Sequence, residues 1–182
     1  MHSRALQYIT ALAIFGLGGT AMAAGPWVGA DYSWLEFESE ETRDTLKPRA
    51  AIIRGGLEFN RWLGVEARAG TGIRSDKRSV PGGEARFDLD RLIGGYVTLS
   101  LPVDGAARPY LIGGFTEARG EATGDFNGVQ FSDTETTDDN SWGAGIALNL
   151  TDTLAINAEY MEYLDNSDGE LSSISLGVRS AF

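Results

Sequence analysis

The sequence predicts an all-β chain that closes into an eight-stranded antiparallel transmembrane up-and-down β-barrel. Three observations carry this. Eight segments alternate large apolar residues with small or polar ones, and a period of two is the pattern of a strand with one apolar face. Each segment is about as long as the roughly 9–11 residues that a tilted strand needs to cross a bilayer. The connections between segments alternate between tight turns and longer polar loops, as they do in bacterial membrane barrels.

The first segment is "WVGADYSWLE", where Val28, Ala30, Tyr32 and Trp34 share one face and Gly29, Asp31 and Ser33 the other. In "AIIRGGLEFN", Ile53, Gly55, Leu57 and Phe59 oppose Arg54, Gly56, Glu58 and Asn60. In "LGVEARAGTGIR", Leu63, Val65, Ala67, Ala69, Thr71 and Ile73 oppose Gly64, Glu66, Arg68, Gly70 and Gly72. The fourth, "FDLDRLIGGYVTLSL", is less regular. Leu89, Ile93, Val97 and Leu99 are expected outward, and Asp90, Tyr96 and Thr98 inward. In the fifth, "PYLIGGFTEAR", turning Glu117 and Arg119 inward leaves Tyr110, Ile112 and Thr116 outward. The sixth, "SWGAGIALNL", sets Trp142, Ala144, Ile146, Leu148 and Leu150 against Gly143, Gly145, Ala147 and Asn149. The seventh, "LAINAEYMEYL", sets Leu154, Ile156, Ala158 and Tyr160 against Ala155, Asn157, Glu159 and Met161. The eighth, "SISLGVRSAF", alternates Ile174, Leu176 and Val178 with Ser173, Ser175, Gly177 and Arg179, and ends on Phe182.

A strand that is apolar on one face and charged on the other, at the very end of a chain, makes sense if the apolar face meets lipid. Pairing the last strand with the first would satisfy every edge hydrogen bond, as hydrocarbon demands. "NRW", "PVDGAARP" and "TDT" are the short connections. "SEETRDTLK", "SDKRSVPGGEAR", the stretch at 120–140 and "DNSDG" are the longer ones. The start of the barrel, the short turns and Phe182 therefore fall on one side. Trp27, Trp34, Trp62, Tyr110, Trp142, Tyr163 and Phe182 lie near strand ends, where aromatic girdles belong. Paired glycines inside the segments suit the sharp curvature of a small barrel.

Residues 1–23 have the features of a secretory signal peptide. Arg4 supplies the positive region, Ala5 to Leu17 is mostly apolar, and Ala21-Met22-Ala23 is a cleavage signature. Residues 24–182 then form the barrel domain. The whole chain carries a net charge of −11, and the signal contains Arg4 but no acid, so the mature part is more acidic still. Without a basic stripe, nucleic acid is not an expected partner. There is no cysteine, which excludes disulfides, and the single histidine, His2, lies in the signal. A Ser-His-Asp triad and the usual zinc sites are thereby excluded. No enzymatic activity and no cofactor are expected.

The inward-facing charges form the main constellation: Asp31, Arg54, Glu58, Glu66, Arg68, Asp90, Glu117, Arg119, Glu159 and Arg179. Their signs are mixed, and buried charges must be paired. They read either as a salt-bridge network filling the lumen or as the lining of a narrow, gated ion path. Eight strands are normally filled rather than open. The stretch 120–140 holds Glu121, Asp125, Asp133, Glu135, Asp138 and Asp139 and no base beyond Arg119. It reads as a solvated loop, a divalent-cation site bridging lipopolysaccharide phosphates, or an adhesive surface. Asn127-Gly128 is a tight-hairpin signal, so this connection is expected to project as an extended hairpin.

The blocks "RPYLIGGFTEARGEATG", "SWGAGIALNLTDTLAINAEYMEYLDN" and "ISLGVRSAF" resemble the small outer-membrane β-barrel proteins of Gram-negative bacteria, the porin-family proteins related in architecture to the OmpA transmembrane domain and to OmpX. The resemblance spans the mature chain. It implies an outer-membrane location, contact with lipid and lipopolysaccharide, and a structural or surface-interaction role, with loops free for an extracellular partner. A small channel for ions or solutes is the alternative. It also implies that Phe182 is the signal read by the barrel-assembly machinery. Ser180 departs from the apolar residue usual at that place.

Overall fold

The computed structural model describes residues 25–38, 45–74, 76–80, 83–101, 103, 105–126, 129–166 and 169–182. The predicted signal peptide and the hairpin tip Asn127-Gly128 lie outside these. All regular structure among the described residues is strand: β1 (Gly25–Glu38), β2 (Thr45–Leu46), β3 (Arg49–Glu58), β4 (Leu63–Arg74), β5 (Asp76–Val80), β6 (Gly83–Ser100), β7 (Ala107–Phe126), β8 (Val129–Asn149), β9 (Leu154–Asn166) and β10 (Gly169–Ala181). Every pairing is antiparallel: the long strands pair in chain order, with β3 beside β1 and β6 beside β4, and β10 also pairs with β1, from Trp27↔Ala181 to Glu38↔Glu170. That pairing closes an eight-stranded barrel of β1, β3, β4, β6, β7, β8, β9 and β10. The short β2 and β5 add to β1 and β6 beyond it.

The exterior carries the apolar residues. Ile53, Leu57, Val97, Leu111, Leu148, Ile174 and Val178 are all exposed, as are Trp34, Trp62, Trp142 and Phe182. So much contiguous exposed apolar surface marks a face made for another apolar medium. The other three aromatics assigned to the girdles do not belong there. Trp27, Tyr110 and Tyr163 are buried, pointing into the barrel. Each finds a polar or cationic partner there, which fixes the ring inside.

Two strands differ from the predicted facing. In β6 the register against β7 slips between Leu89 and Arg91. This bulge puts two residues opposite one and reverses the alternation. Leu89 is therefore buried and Asp90 exposed, the opposite of expectation. In β7 the whole assignment is inverted. Tyr110, Ile112 and Thr116 are buried, while Leu111 and Phe115 face outward and Arg119 is exposed. Moving a strand by one residue flips every side chain. Here the inward Tyr110 and Thr116 hydroxyls find hydrogen-bond partners, and the fully apolar Leu111 and Phe115 take the lipid.

The two rims differ in height. At one end, β3–β4, β6–β7 and β8–β9 are joined by short turns near the two described termini; this is the turn end. At the other, the loop end, β6, β7 and β8 run 18, 20 and 21 residues. That is about twice a bilayer crossing. Their pairing continues to Phe126↔Val129, and β5 joins β6 from Asp76↔Phe87 to Val80↔Gly83. The projection is thus a sheet of β5–β8 rather than a lone hairpin.

Candidate functional site

The interior is layered along the barrel axis. At the turn end lies a small cavity of about 20 Å³, open at its mouth, lined by Trp27, Glu58, Arg108 and Arg179 together with Arg54, Glu66 and Asn157. Glu58 Oε1 accepts from Arg108 Nη2 at 2.6 Å and from Arg179 Nη1 at 3.0 Å. Two guanidiniums stand over the Trp27 ring, with Arg54 Cζ 5.4 Å and Arg179 Cζ 5.5 Å from its centroid. Cation–π attraction to both arginines holds this indole inside. Arg108, which precedes Pro109 at the start of β7, was not among the residues singled out from sequence. It sits outside the clear alternation, so no periodicity marked it.

At mid-height the lumen is filled by charge. Arg54 Nη1 donates to Asp31 Oδ2 at 2.8 Å and Nη2 to Glu66 Oε2 at 2.9 Å. Its Nε lies 2.8 Å from Glu66 Oε1 as an ion-pair contact without hydrogen-bond alignment. Arg68 Nε donates to Glu66 Oε1 at 2.6 Å, and its two terminal nitrogens grip Glu159 at 2.6 and 2.9 Å. Tyr110 OH donates to Glu159 Oε2 at 2.8 Å, and Asn157 Nδ2 to Asp31 Oδ1 at 3.3 Å. Arg68 also stands over the Tyr96 ring, 4.8 Å from its centroid. The side chains of Asp31, Arg54, Glu66, Arg68 and Glu159 are 4% exposed or less. Charges withdrawn from water this far are tolerable only with near-complete pairing. The geometry supplies it through shared carboxylates and charge-assisted bonds.

Towards the loop end the interior turns neutral and then apolar. Tyr96 OH, Thr116 Oγ1 and Ser141 Oγ form a chain of 2.7 and 2.6 Å contacts, and Ser141 Oγ donates to the Tyr163 carbonyl at 2.9 Å. The Ser33 and Ser175 hydroxyls share a 2.7 Å bond. Beyond them Leu35, Ile52, Leu89, Leu92, Met161, Leu164 and Leu171 pack into one buried cluster with Tyr163. The polar lumen expected from sequence therefore occupies only part of the height. Near the loop rim the strands stand clear of lipid, and an apolar interior can be buried there as in a soluble protein.

Three of the expected lumen charges are elsewhere. Asp90, Glu117 and Arg119 lie on the outer surface of β6 and β7, where Arg91 Nη2 meets Glu117 Oε1 at 2.6 Å and Arg119 Nε lies 3.7 Å from Asp90 Oδ2. On that outer surface the four charges satisfy one another in two pairs, so none has to turn inward for a partner. Glu58 and Arg179 stand in the turn-end mouth, half-buried. The remaining five form the mid-height cluster. In the acidic stretch, Glu121 accepts from Ser132, and Asp139 from the Asp165 backbone at 3.2 Å. Among the described residues no group of acids, histidines or cysteines could hold a metal ion.

A closed, lipid-faced barrel with short turns at one rim and a raised sheet at the other is an integral membrane protein of the outer-membrane type. The match to the family of the outer membrane protein beta-barrel domain covers residues 9–182, and the chain belongs to that family. It is an outer-membrane protein. Among solved structures, Ail of Yersinia pestis, in complex with the heparin analogue sucrose octasulfate, is similar at 18% identity and a TM-score of 0.64, covering 88% of this chain and 100% of that one. Neisserial surface protein A is similar at 18% identity and a TM-score of 0.59, covering 86% and 97%. The N-terminal barrel domain of Pseudomonas aeruginosa OprF gives 15% identity, a TM-score of 0.56 and the same coverage. At these identities the likeness is one of fold. No curated protein matches.

Proposed function

We propose that this protein is a non-enzymatic, closed outer-membrane barrel, a structural element that presents the β5–β8 sheet as an interaction surface. One observation carries the reading: the lumen is blocked twice. The ion cluster of Asp31, Arg54, Glu66, Arg68 and Glu159 fills mid-height, and the apolar cluster around Leu92 and Tyr163 fills the loop-end half. A permeating ion would have to cross both, and the second offers it no ligand. The turn-end cavity is then a blind vestibule rather than one mouth of a pore.

In this reading residues 1–23 direct export and are removed. The turn end faces the periplasm, since bacterial barrels keep their short turns there. Phe182, 72% exposed at that rim, is the handle for the barrel-assembly machinery. The raised sheet faces outward. Its β8 arm carries Glu135, Asp138 and Asp139, with no Lys or Arg from 120 to 140. An extracellular partner docking there would be cationic. This differs in sign from the polyanion found with Ail. Residues 24–182 lack histidine and cysteine, which supports a role without chemistry.

Planar-bilayer recording of the refolded protein tests the blocked lumen. The expected trace shows no discrete conductance steps. Reproducible, ion-selective steps from folded protein would establish the small-channel reading instead.

A further inference from the structure

On the loop-end rim two arginines stand directly opposite each other in register, Arg49 on β3 and Arg74 on β4. The register slips beside them, and the skipped residue is Ile73. Directly opposed residues face the same side of a sheet. Arg49 shares the outward face with Ala51 and Ile53, and its Nη1 donates to Tyr32 OH at 3.1 Å, also an outward residue. Arg74 is exposed. Neither has a carboxylate partner among the described residues. Like charges directly opposed on a sheet repel.

The neighbouring strands show how the chain treats the same problem elsewhere. Arg91 on β6 is in register with Arg119 on β7. There the protein supplies an acid to each, Glu117 to Arg91 and Asp90 to Arg119. At Arg49 and Arg74 it supplies none among the described residues, and the nearby Glu36 is engaged by Lys47 at 3.3 Å. In a chain of net charge −11, two adjacent arginines with no acid beside them among the described residues are open to an anion from outside.

Their height says which kind. From Leu57 to Arg49, β3 climbs about 20 Å along the membrane normal at ordinary rise and tilt. That places Arg49 at the upper border of an apolar band about 25 Å tall. Trp34, in register with Arg49, is 41% exposed on the lipid side, and Ile73 beside Arg74 is 53% exposed. The pair thus borders apolar surface, with Trp34 beside Arg49, Ile73 beside Arg74 and Ile53 further down the outer face of β3. Guanidiniums match phosphate oxygens through two parallel N–H donors.

We propose that Arg49 and Arg74 form a binding site for the phosphate of an outer-leaflet lipid, whose acyl chains lie against Trp34, Ile53 and Ile73. The inference rests on the outer-membrane placement with the loop end outward. It assigns one patch on the barrel wall, between β3 and β4, to a phosphorylated lipid and not to free phosphate.

The test uses native mass spectrometry of the folded barrel released from detergent, with bisphosphorylated lipid A, dephosphorylated lipid A or inorganic phosphate added. Folding of each sample is checked by the faster gel migration of unboiled protein. The wild type should retain bisphosphorylated lipid A about tenfold better than the dephosphorylated form. Arg49→Gln/Arg74→Gln should lose that preference, and Arg61→Gln, at the turn end, should keep it. Arg74→Gln alone, at a fully solvated position, should lose part of it even if the double variant folds poorly. Equal retention by wild type and the arginine variants would overturn the site. Displacement of the lipid by millimolar inorganic phosphate would overturn the commitment to a lipid. Absence of the gel shift in the wild type would instead remove the closed barrel itself, a separate failure.

Discussion

Arg68 grips Glu159 at two points across the full width of the lumen, Nη1 to Oε1 at 2.6 Å and Nη2 to Oε2 at 2.9 Å. Their strands, β4 and β9, stand diametrically opposite in the ring of eight. The pair therefore ties the two walls directly, with no hydrogen-bonded strand in common. Arg68→Ala should lower stability by about 3–5 kcal/mol, because it strands Glu159 without its principal cation. Arg68→Met/Glu159→Leu should cost less than the sum of the single changes, since no lone charge remains. Urea unfolding in detergent, followed by tryptophan emission, measures both. Purely additive losses would mean that water inside the barrel screens the pair.

A glycine at two adjacent strands separates backbone fit from lipid contact. A Cβ on Gly114 would meet the Gly95 carbonyl oxygen and come within 2.7 Å of Tyr96 Cα. Neither atom can move without shifting β6. A Cβ on Gly95 would meet nothing within 4 Å. Gly114→Ala is expected to destabilise by about 1–3 kcal/mol through overpacking. Gly95→Ala should fall within about 0.5 kcal/mol of wild type or slightly above it. The same unfolding measurement ranks them, and a reversed order would place β6 and β7 in a different register.

The four tryptophans divide by environment. Trp34, Trp62 and Trp142 are exposed on the outer wall, whereas Trp27 is 6% exposed beneath Arg54 and Arg179. In vesicles containing brominated lipid, single-tryptophan proteins retaining Trp34, Trp62 or Trp142 should be quenched. The one retaining Trp27 should not. Quenching of Trp27 comparable to the others would put its ring in the girdle.

The raised sheet should be dispensable for barrel formation. Removing residues 121–135 takes away pairs that lie beyond the crossing, from Glu121↔Thr134 to Phe126↔Val129. The truncated protein is expected to keep its heat-modifiable migration. Protease added to intact cells should cut within 120–140 and spare the crossing strands. Protection in intact cells combined with cleavage from the periplasmic side would reverse the orientation.

Where alternation is strict, facing was legible from the chain alone. Asp31, Arg54, Glu66, Arg68 and Glu159 sit on strands whose partners Ile53, Val65 and Ile156 leave no doubt about the lipid side. β6 was not legible, because the bulge at Leu89–Arg91 reverses the alternation without any residue that announces it. β7 failed for another reason. Sending Glu117 and Arg119 inward assumes that lipid surrounds the whole strand. At 20 residues, β7 outruns the bilayer, and its upper half can carry charge outside. The apolar plug was hidden for the same reason. Leu35, Leu164 and Leu171 look like ordinary strand-end residues until neighbouring strands bring them together.

The pairing of β1 with β10 has a consequence for how the molecule is made. Every other pairing in the ring joins consecutive crossings through a local hairpin, the kind of contact that forms within about 1–10 μs. This seam alone brings the two ends of the chain together, from Trp27↔Ala181 to Glu38↔Glu170. Until it zips, both outer strands expose unpaired amides that hydrocarbon will not solvate. The final step of folding and the entry into the bilayer must therefore be one event. The meeting of first and last strand is the one pairing in the ring that no local hairpin can nucleate.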